Sequence, residues 1–371
     1  MKISACYIVK NEEENLEKSI CSIKDFYDEL IVVDTGSTDN TVQIAQKYNA
    51  KIFFYSWHND FAAARNFGKK KARGDWIIYL DADECYNGSV SLRDFFRKKE
   101  LSSIDAILVA SYYSQEFPPA RALKFFRNDD KLEYKGKVHE VLTRKDGELR
   151  WIYIPKLSIL HRGYEKEILP QKIRRNMNII LEDIRENGEN EAYYFYLARG
   201  YFFLHDYNKS LYYIKKAITS PITYYNEEMN YYHILLESMR QLKYPPQEMI
   251  EVADEGIRQF PELPEFYGEK GIILSSIGDY DNAYELLKKC IYKYEFPEKS
   301  NRAAGYLDNN AMGIIYARLA RLAMIKNEEI IPELATILAL KTSNGVWGKD
   351  EREIIIANNR YDICNSSDRK I

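Results

Sequence analysis

The residues of this sequence best suited to chemistry are carboxylates at the end of an apolar run. In GDWIIYLDADE, residues 74–84, the run Trp76 to Leu80 breaks into Asp81, Asp83 and Glu84. The run has the length of a buried strand and is too short for an amphipathic helix. On an extended chain Asp81 and Asp83, two residues apart, point to the same side. A strand that carries acids to the end of an open α/β sheet delivers them to the crevice where such sheets bind ligands. Hard oxygen ligands placed there suit Mg2+ or Mn2+, completed by phosphate oxygens of a substrate. Taken alone, such an acid pair is also the pattern of a solvated turn.

The elements upstream bring further acids to the same level. Lys2 to Val9 reads as a buried strand, and NEEENL after it opens a helix with acids in its first turn, where they favour the dipole. Glu29 to Asp34 is the second strand; it breaks into Thr35-Gly36-Ser37-Thr38-Asp39 before a helix from Asn40 to Tyr48. Lys51 to Tyr55 makes a third strand, Phe61 to Lys71 an Ala-rich helix, and Trp76 to Leu80 the fourth strand. This alternation predicts a mostly parallel sheet with helices on both faces. Strand ends of a parallel sheet share one edge, so Asp34, Asp39, Asp81 and Asp83 are expected to converge. Carboxylates gathered in one place repel unless a cation joins them. Arg65, on the intervening helix, offers a planar fork for phosphate, its alternative being a surface salt bridge.

The chain has 371 residues, enough for two or three domains. With 46% apolar and 29% charged residues, it has the composition of a soluble globular protein. A net charge of −3 supplies no basic field for nucleic acid or an anionic membrane. Cys6, Cys21, Cys85, Cys290 and Cys364 show no C-x-x-C or zinc spacing, which suits reduced thiols and a cytoplasmic location. The start of the sequence does not read as a signal peptide, and no run has the length of a membrane span, so stable membrane insertion is not expected.

CYIVKNEEENL, VVDTGSTDNT and FAAARNFGKKKARGDWIIYLDADE follow one another within residues 1–110 and resemble the family 2 glycosyltransferases of GT-A fold. The resemblance implies a nucleotide-sugar domain in which Asp34 contacts uracil and Glu12 or Glu13 lies beside the nucleoside. Asp39, Arg65 and Asn66 would help to hold the donor. Asp81 would face the ribose, and Asp83 would bind the metal that bridges the donor diphosphate. Thr35 stands where many members have a second Asp, which leaves open which acid reads the base.

Residues 104–164 should supply the acceptor side. Ala106 to Tyr112 and Trp151 to Ile159 read as strands. FFRN, Gly136 and Val138-His139-Glu140 resemble a branch of family 2 that includes sublancin-type peptide S-glycosyltransferases and some lipopolysaccharide-core β-glucosyltransferases. Glu140 is the expected general base, with Asp129 and Asp130 as rivals; the alternative for His139-Glu140 is a buried polar pair supporting the acceptor loop. In Leu160-His161-Arg162-Gly163-Tyr164, His161 would complete the metal shell, as a late His often does in GT-A enzymes, or hydrogen-bond within its loop. His58 reads as a surface residue, and His205 and His233 as structural ones.

From Leu169 strand signals vanish and Leu, Ala, Tyr and Lys recur at helical spacing. Tyr194, Leu197, Ala198, Tyr201, Ala217 and Pro221 approximate one tetratricopeptide unit. Tyr267, Gly271, Leu274, Gly278, Tyr280, Ala283 and Leu287, closing near Pro297, make another. His233 to Pro261 fits a degenerate unit between them, and Asn309 to Ile325 with Glu328 to Leu340 a last hairpin; the tail after Asn365 reads as frayed. The expected organisation is therefore a GT-A α/β domain over residues 1–168 and a TPR-like all-α domain over 169–371.

The leading expectation is an inverting, metal-dependent transferase that moves glucose or an N-acetylhexosamine from a UDP-sugar to a peptide or protein. A glycan or lipid-linked acceptor is the runner-up, and a homodimer through the helical half is a further expectation. Two other classes are a scaffold in which only the repeats act and a nucleotidyltransferase. The scaffold would keep its activity in Asp83→Ala; the nucleotidyltransferase would release pyrophosphate rather than UDP.

Overall fold

The computed structural model describes residues 1–96, 101, 103–112, 119–161, 169–220, 228–295 and 309–326. Arg162, Gly163, Tyr164, Pro221, Pro297, Cys364, the helix expected over 328–340 and the terminal tail lie outside the described residues. The chain divides into two compact units, Met1–Asn190 and Glu191–Ile371.

In the first unit, β1 (Ile3–Val9), β2 (Glu29–Asp34), β3 (Lys51–Phe54) and β4 (Trp76–Tyr79) run parallel. They are joined through α1 (Leu16–Ile23), α2 (Thr41–Lys47) and α3 (Phe61–Lys71). Downstream come β5 (Glu84–Tyr86), α4 (Leu92–Phe96), β6 (Ala106–Tyr112), β7 (Ala120–Arg127) and β10 (Trp151–His161). The eight-stranded sheet has the order β3-β2-β1-β4-β7-β6-β10-β5. β7 is antiparallel to both its neighbours and β5 is antiparallel to β10. The remaining six strands share one direction, so β2, β4 and β10 deliver Asp34, Asp81 and His161 to one edge. A separate hairpin, β8 (Leu132–Lys135) with β9 (Val141–Arg144), packs against α3.

Composition explains the layering. β1 and β4 are apolar on both pleat faces and are covered on both sides. One face packs on Leu16, Ile20, Phe26 and Phe96; the other packs on Ala62, Phe126 and Tyr134. Asp60 starts α3 by accepting from the Ala63 N–H at 2.8 Å. Gly68 lets α3 lie close to the sheet, because a Cβ there would stand 2.6 Å from the Tyr79 hydroxyl and 3.0 Å from Val33.

The DADE segment is not extended. The Glu84 N–H donates to the Asp81 carbonyl at 3.0 Å, so residues 81–84 form a tight turn between β4 and β5. Helix α5 (Leu169–Asn187) completes the first unit. The sequence-based division at 168/169 falls before this helix, whereas the compact units part between Asn190 and Glu191.

The second unit contains α6 (Tyr194–Phe203), α7 (Tyr207–Thr219), α8 (Glu228–Gln241), α9 (Pro246–Gln259), α10 (Pro264–Ser276), α11 (Tyr280–Glu295) and α12 (Asn309–Ile325). Each packs on its neighbours in sequence, the pattern of stacked helical hairpins. Tyr231, Tyr232, Tyr267, Tyr284 and Tyr316 are buried between helices, whereas Tyr212 and Tyr292 face outward. Among the described residues no helix is long and apolar enough to cross a membrane.

Candidate active site

The site is built on the turn after β4. Asp81 Oδ1 accepts from Arg65 Nη2 at 2.9 Å, and Arg65 Nε donates to Glu140. The Arg65 guanidinium lies over the rings of Tyr79, at 4.9 Å, and Tyr134, at 5.6 Å. Arg65 is therefore a fixed fork between two carboxylates, one from the turn after β4 and one from the loop between β8 and β9. Burial alone would lower its pKa, but Asp81 and Glu140 outweigh burial and raise it. Burial likewise works against the Asp81 carboxylate, and Arg65, Lys124 and His161 overcome it and hold it below the usual range.

Glu84 plays a different part from its neighbours. It is 3% exposed, accepts from the Asp81 N–H at 2.9 Å, and pairs with Lys124 Nζ at 2.6 Å. The β6–β7 register skips Lys124: Ile107 faces Phe125 and Leu108 faces Leu123. This bulge turns Lys124 towards the acids, where its ammonium also lies 3.9 Å from Asp81. Burial pushes the Glu84 carboxyl up, the Lys124 charge opposing it.

Asp83 leaves the same turn towards β10 and α5. His161, paired with Glu84 in the β10–β5 register, brings Nε2 to 3.7 Å from Asp83 Oδ1. Lys172 Nζ, from α5, stands 3.1 Å from Asp83 Oδ2. The carboxylate–imidazole separation is too long for a hydrogen bond and suits two ligands flanking one ion. Lys172 marks where positive charge is favoured. A carboxylate and an imidazole fit a Mg2+ or Mn2+ that takes its other ligands from water and phosphate. No three His, Cys, Asp or Glu side chains form a metal-holding group among the described residues.

The four acids expected to converge divide instead. Asp34, 2% exposed, turns back to accept from the N–H groups of Gly36, at 3.1 Å, and Ser37, at 3.2 Å. Gly36, at φ +104°, adopts the backbone that makes this loop closure available. Asp39 accepts from the Thr41 N–H at 3.0 Å and the Glu13 N–H at 3.1 Å, joining the β1–α1 and β2–α2 loops. Both acids satisfy backbone donors, Asp34 those of its own loop and Asp39 one in each of the two loops. Glu12 does face the β4 turn: burial raises its pKa, and Asp83 and Asp81 raise it further.

Asn66 is placed differently from expectation. Its amide donates to the Tyr134 carbonyl at 2.8 Å and accepts from the Tyr134 N–H at 2.9 Å, so both ends clasp α3 to β8. Asp129 and Asp130, the rivals of Glu140, line a cavity with Asp75, Lys69 and Arg127 at the start of β4. The four residues of β4 put about 13 Å between that cavity and the DADE turn, at ~3.3 Å per residue. Glu140 alone of the three reaches the DADE turn. His58 is exposed and packs edge-on to Tyr55. Sequence reading missed Lys124 and Lys172. The first needed the bulge, and the second lies 89 residues from its partner.

Residues 4–169 match the family model described as glycosyl transferase family 2. The SPbeta prophage-derived glycosyltransferase SunS of Bacillus subtilis is 31% identical over 227 residues, covering 59% of this chain and 53% of the relative. The TPR repeat-containing protein Synpcc7942_0270 of Synechococcus elongatus is 34% identical over 201 residues, covering 50% of each chain. The chain thus spans about half the length of these relatives. The crystal structure of S. aureus TarS is similar at 17% identity with a TM-score of 0.36, covering 76% of this chain and 54% of that one. The order of motifs, the sheet and the family match agree: residues 4–169 are similar to family 2 glycosyltransferases, and an all-helical half follows.

Proposed function

We propose that this chain is an inverting glycosyltransferase that uses Mg2+ or Mn2+ to move glucose or an N-acetylhexosamine from a UDP-sugar to a peptide or protein side chain. The observation that carries the proposal is the connected set Asp81–Arg65–Glu140 beside Asp83 and His161 at one sheet edge. In this reading Asp83 and His161 hold the cation, which when bound supplies Lewis-acid neutralisation of the leaving diphosphate. Glu12, Asp34 and Asp39 shape the nucleoside side, and Asp81, held by Arg65, meets the ribose. Glu140, oriented by Arg65, takes the proton of the acceptor as the acceptor atom attacks the anomeric carbon. The bond from that carbon to the diphosphate oxygen breaks, UDP leaves with the electron pair, and the anomeric configuration inverts.

The catalytic part is the first compact unit, Met1–Asn190, and the helical unit from Glu191 onward grips the acceptor. Stacked helical hairpins provide extended surfaces of the kind that hold a polypeptide, which favours a peptide acceptor over a glycan. The test is UDP release from a panel of UDP-sugars with Mn2+ or Mg2+. Release from one donor, lost with EDTA and in Asp83→Ala, is the expected result. A protein that binds no UDP under any of these conditions would end this reading.

A further inference from the structure

We propose that Lys172 and Arg175 of α5 form the diphosphate subsite for the nucleotide-sugar donor, Lys172 leaving Asp83 for the diphosphate when the divalent cation arrives. This inference rests on the reading above. It assigns a role to residues beyond the match to the family model, which ends at residue 169 where α5 begins.

Lys172 and Arg175 are three residues apart and share one helix face. Lys172 reaches Asp83, as described. Arg175 lies with its guanidinium 5.2 Å from the Phe61 ring, at the start of α3 and one turn before Arg65. The carboxylates that act on Arg175 are Glu12 and Glu140, and those that act on Glu12 include Asp83. Lys172 and Arg175 therefore both act on the acid cluster, from a different helix than Arg65.

The charge balance of the site calls for them. A diphosphate entering beside Glu12, Asp81 and Asp83 needs positive partners. Arg65 is already committed to Asp81 and Glu140 and is closed in by two tyrosine rings. Arg175 is exposed and makes no ion pair among the described residues; its Nε and Nη2 donate to Asn176 Oδ1 at 3.1 and 3.0 Å. Its planar fork is free to take two phosphate oxygens.

Lys172 cannot keep its place once a divalent cation binds. An ammonium 3.1 Å from the Asp83 carboxylate occupies the ground that the ion needs, and the two cations repel. Lys172 is 38% exposed on a flexible stem and can swing, whereas α5 itself is pinned. Glu182 accepts from Asn59 at 3.1 Å, and Lys137 pairs with Asp183 at 2.9 Å and Glu186 at 2.8 Å. The nearest gain for the displaced ammonium is the incoming diphosphate. In the absence of donor, Lys172 is the cation that stands against Asp83.

The test uses the full chain and direct binding. Mn2+ alone is titrated by electron paramagnetic resonance; UDP and uridine are titrated by calorimetry with Mn2+ present. Lys172→Met should bind Mn2+ alone about tenfold more tightly and, with Mn2+, bind UDP about tenfold more weakly, the effect of losing one charge-assisted contact. Arg175→Met should weaken UDP by a similar factor with Mn2+ affinity unchanged. Uridine affinity should stay at the wild-type value in both, and Lys172→Arg should retain UDP binding. Wild-type protein that binds UDP with Mn2+, beside variants that bind both ligands equally well, would overturn the subsite and leave the transferase reading standing. Parallel loss of UDP and uridine binding with a lowered melting temperature would also overturn it, by showing a structural role. Wild-type protein that binds no UDP would overturn both.

Discussion

Two buried charge clusters in the first unit show how alike such groups look in sequence and how differently they are finished in space. Asp105, 1% exposed, accepts from the Arg150 N–H at 3.0 Å, from Arg150 Nε at 3.0 Å and Nη2 at 2.8 Å, and from Arg144 Nη1 at 2.9 Å. One carboxylate meets two guanidinium groups and a backbone N–H, so it is saturated. It ties the start of β6 to the end of β9 and the start of β10. The cluster at the β4 turn has the opposite character. Acids outnumber cations there, the backbone bends to present Asp83, and Asp83 is satisfied by a lysine that can leave. A saturated cluster holds the fold together, whereas one whose charge is balanced by a movable side chain has capacity left for a ligand.

Mutations should separate the two clusters, and the largest effect should fall on Asp83. On the proposed reading, Asp83→Ala should cost about 10^4-fold in UDP-sugar turnover, with little change in melting temperature, because the cation would lose its carboxylate ligand. Turnover and thermal melts on the same preparation check both halves of that statement. Next comes Glu140→Gln, which should lower turnover about 10^3-fold while leaving UDP binding near the wild-type value, as loss of a general base requires.

Asp105→Asn should do the reverse. It should destabilise the unit, since it takes the charge from a buried carboxylate that accepts from two guanidinium groups, and leave turnover per folded molecule unchanged. Hydrogen bonds from Arg150, helped by Arg144, hold the Asp105 carboxyl below its ordinary value against burial. A depressed carboxyl stabilises the fold above the unfolded pKa of about 3.9, and that stability is lost as pH falls through the folded value. The stability gap between wild type and Asp105→Asn should therefore be constant from pH 7 to about 4 and close below it. Denaturant midpoints across that range would show it; a gap that closed near pH 6 would contradict the assignment. The smallest effect belongs to Asn66→Ala, about 1 kcal/mol for the clasp between α3 and β8, with UDP affinity preserved. A large fall in UDP affinity in that variant would return Asn66 to the donor site.

Much of the architecture was legible because it is written locally. The run Ala106–Tyr112 and the helix Phe61–Lys71 stand where periodicity and the Asp60 cap place them. The helical hairpins α6–α7 and α10–α11 coincide with the two repeat-like stretches. The segment after Pro119 was less legible. Ala120–Arg127 mixes Arg and Lys into an apolar strand, and Lys124 fits only as the extra residue of a bulge that a partner strand reveals. The hairpin Leu132–Lys135 with Val141–Arg144 is short and polar, so its alternation is weak.

The sequence by itself determined the strands and helices up to β4 and the helices α6, α7, α10 and α11, that acids stand at the ends of β2 and β4, and that an arginine stands between them on α3. Those features depend on periodicity, capping and burial within a few residues. Only the tertiary structure decided which partner each acid takes. Asp34 and Asp39 turn into their loops, Glu84 goes inward to Lys124, Asp81 goes to Arg65, and Asp83 goes to His161 and Lys172. It also carried Asp129 and Asp130 to the far end of the sheet and Glu140 to the near one. The reason is that charge pairing depends on distances between segments 75 or 89 residues apart, and those distances are set by strand order, a bulge and the docking of a helix.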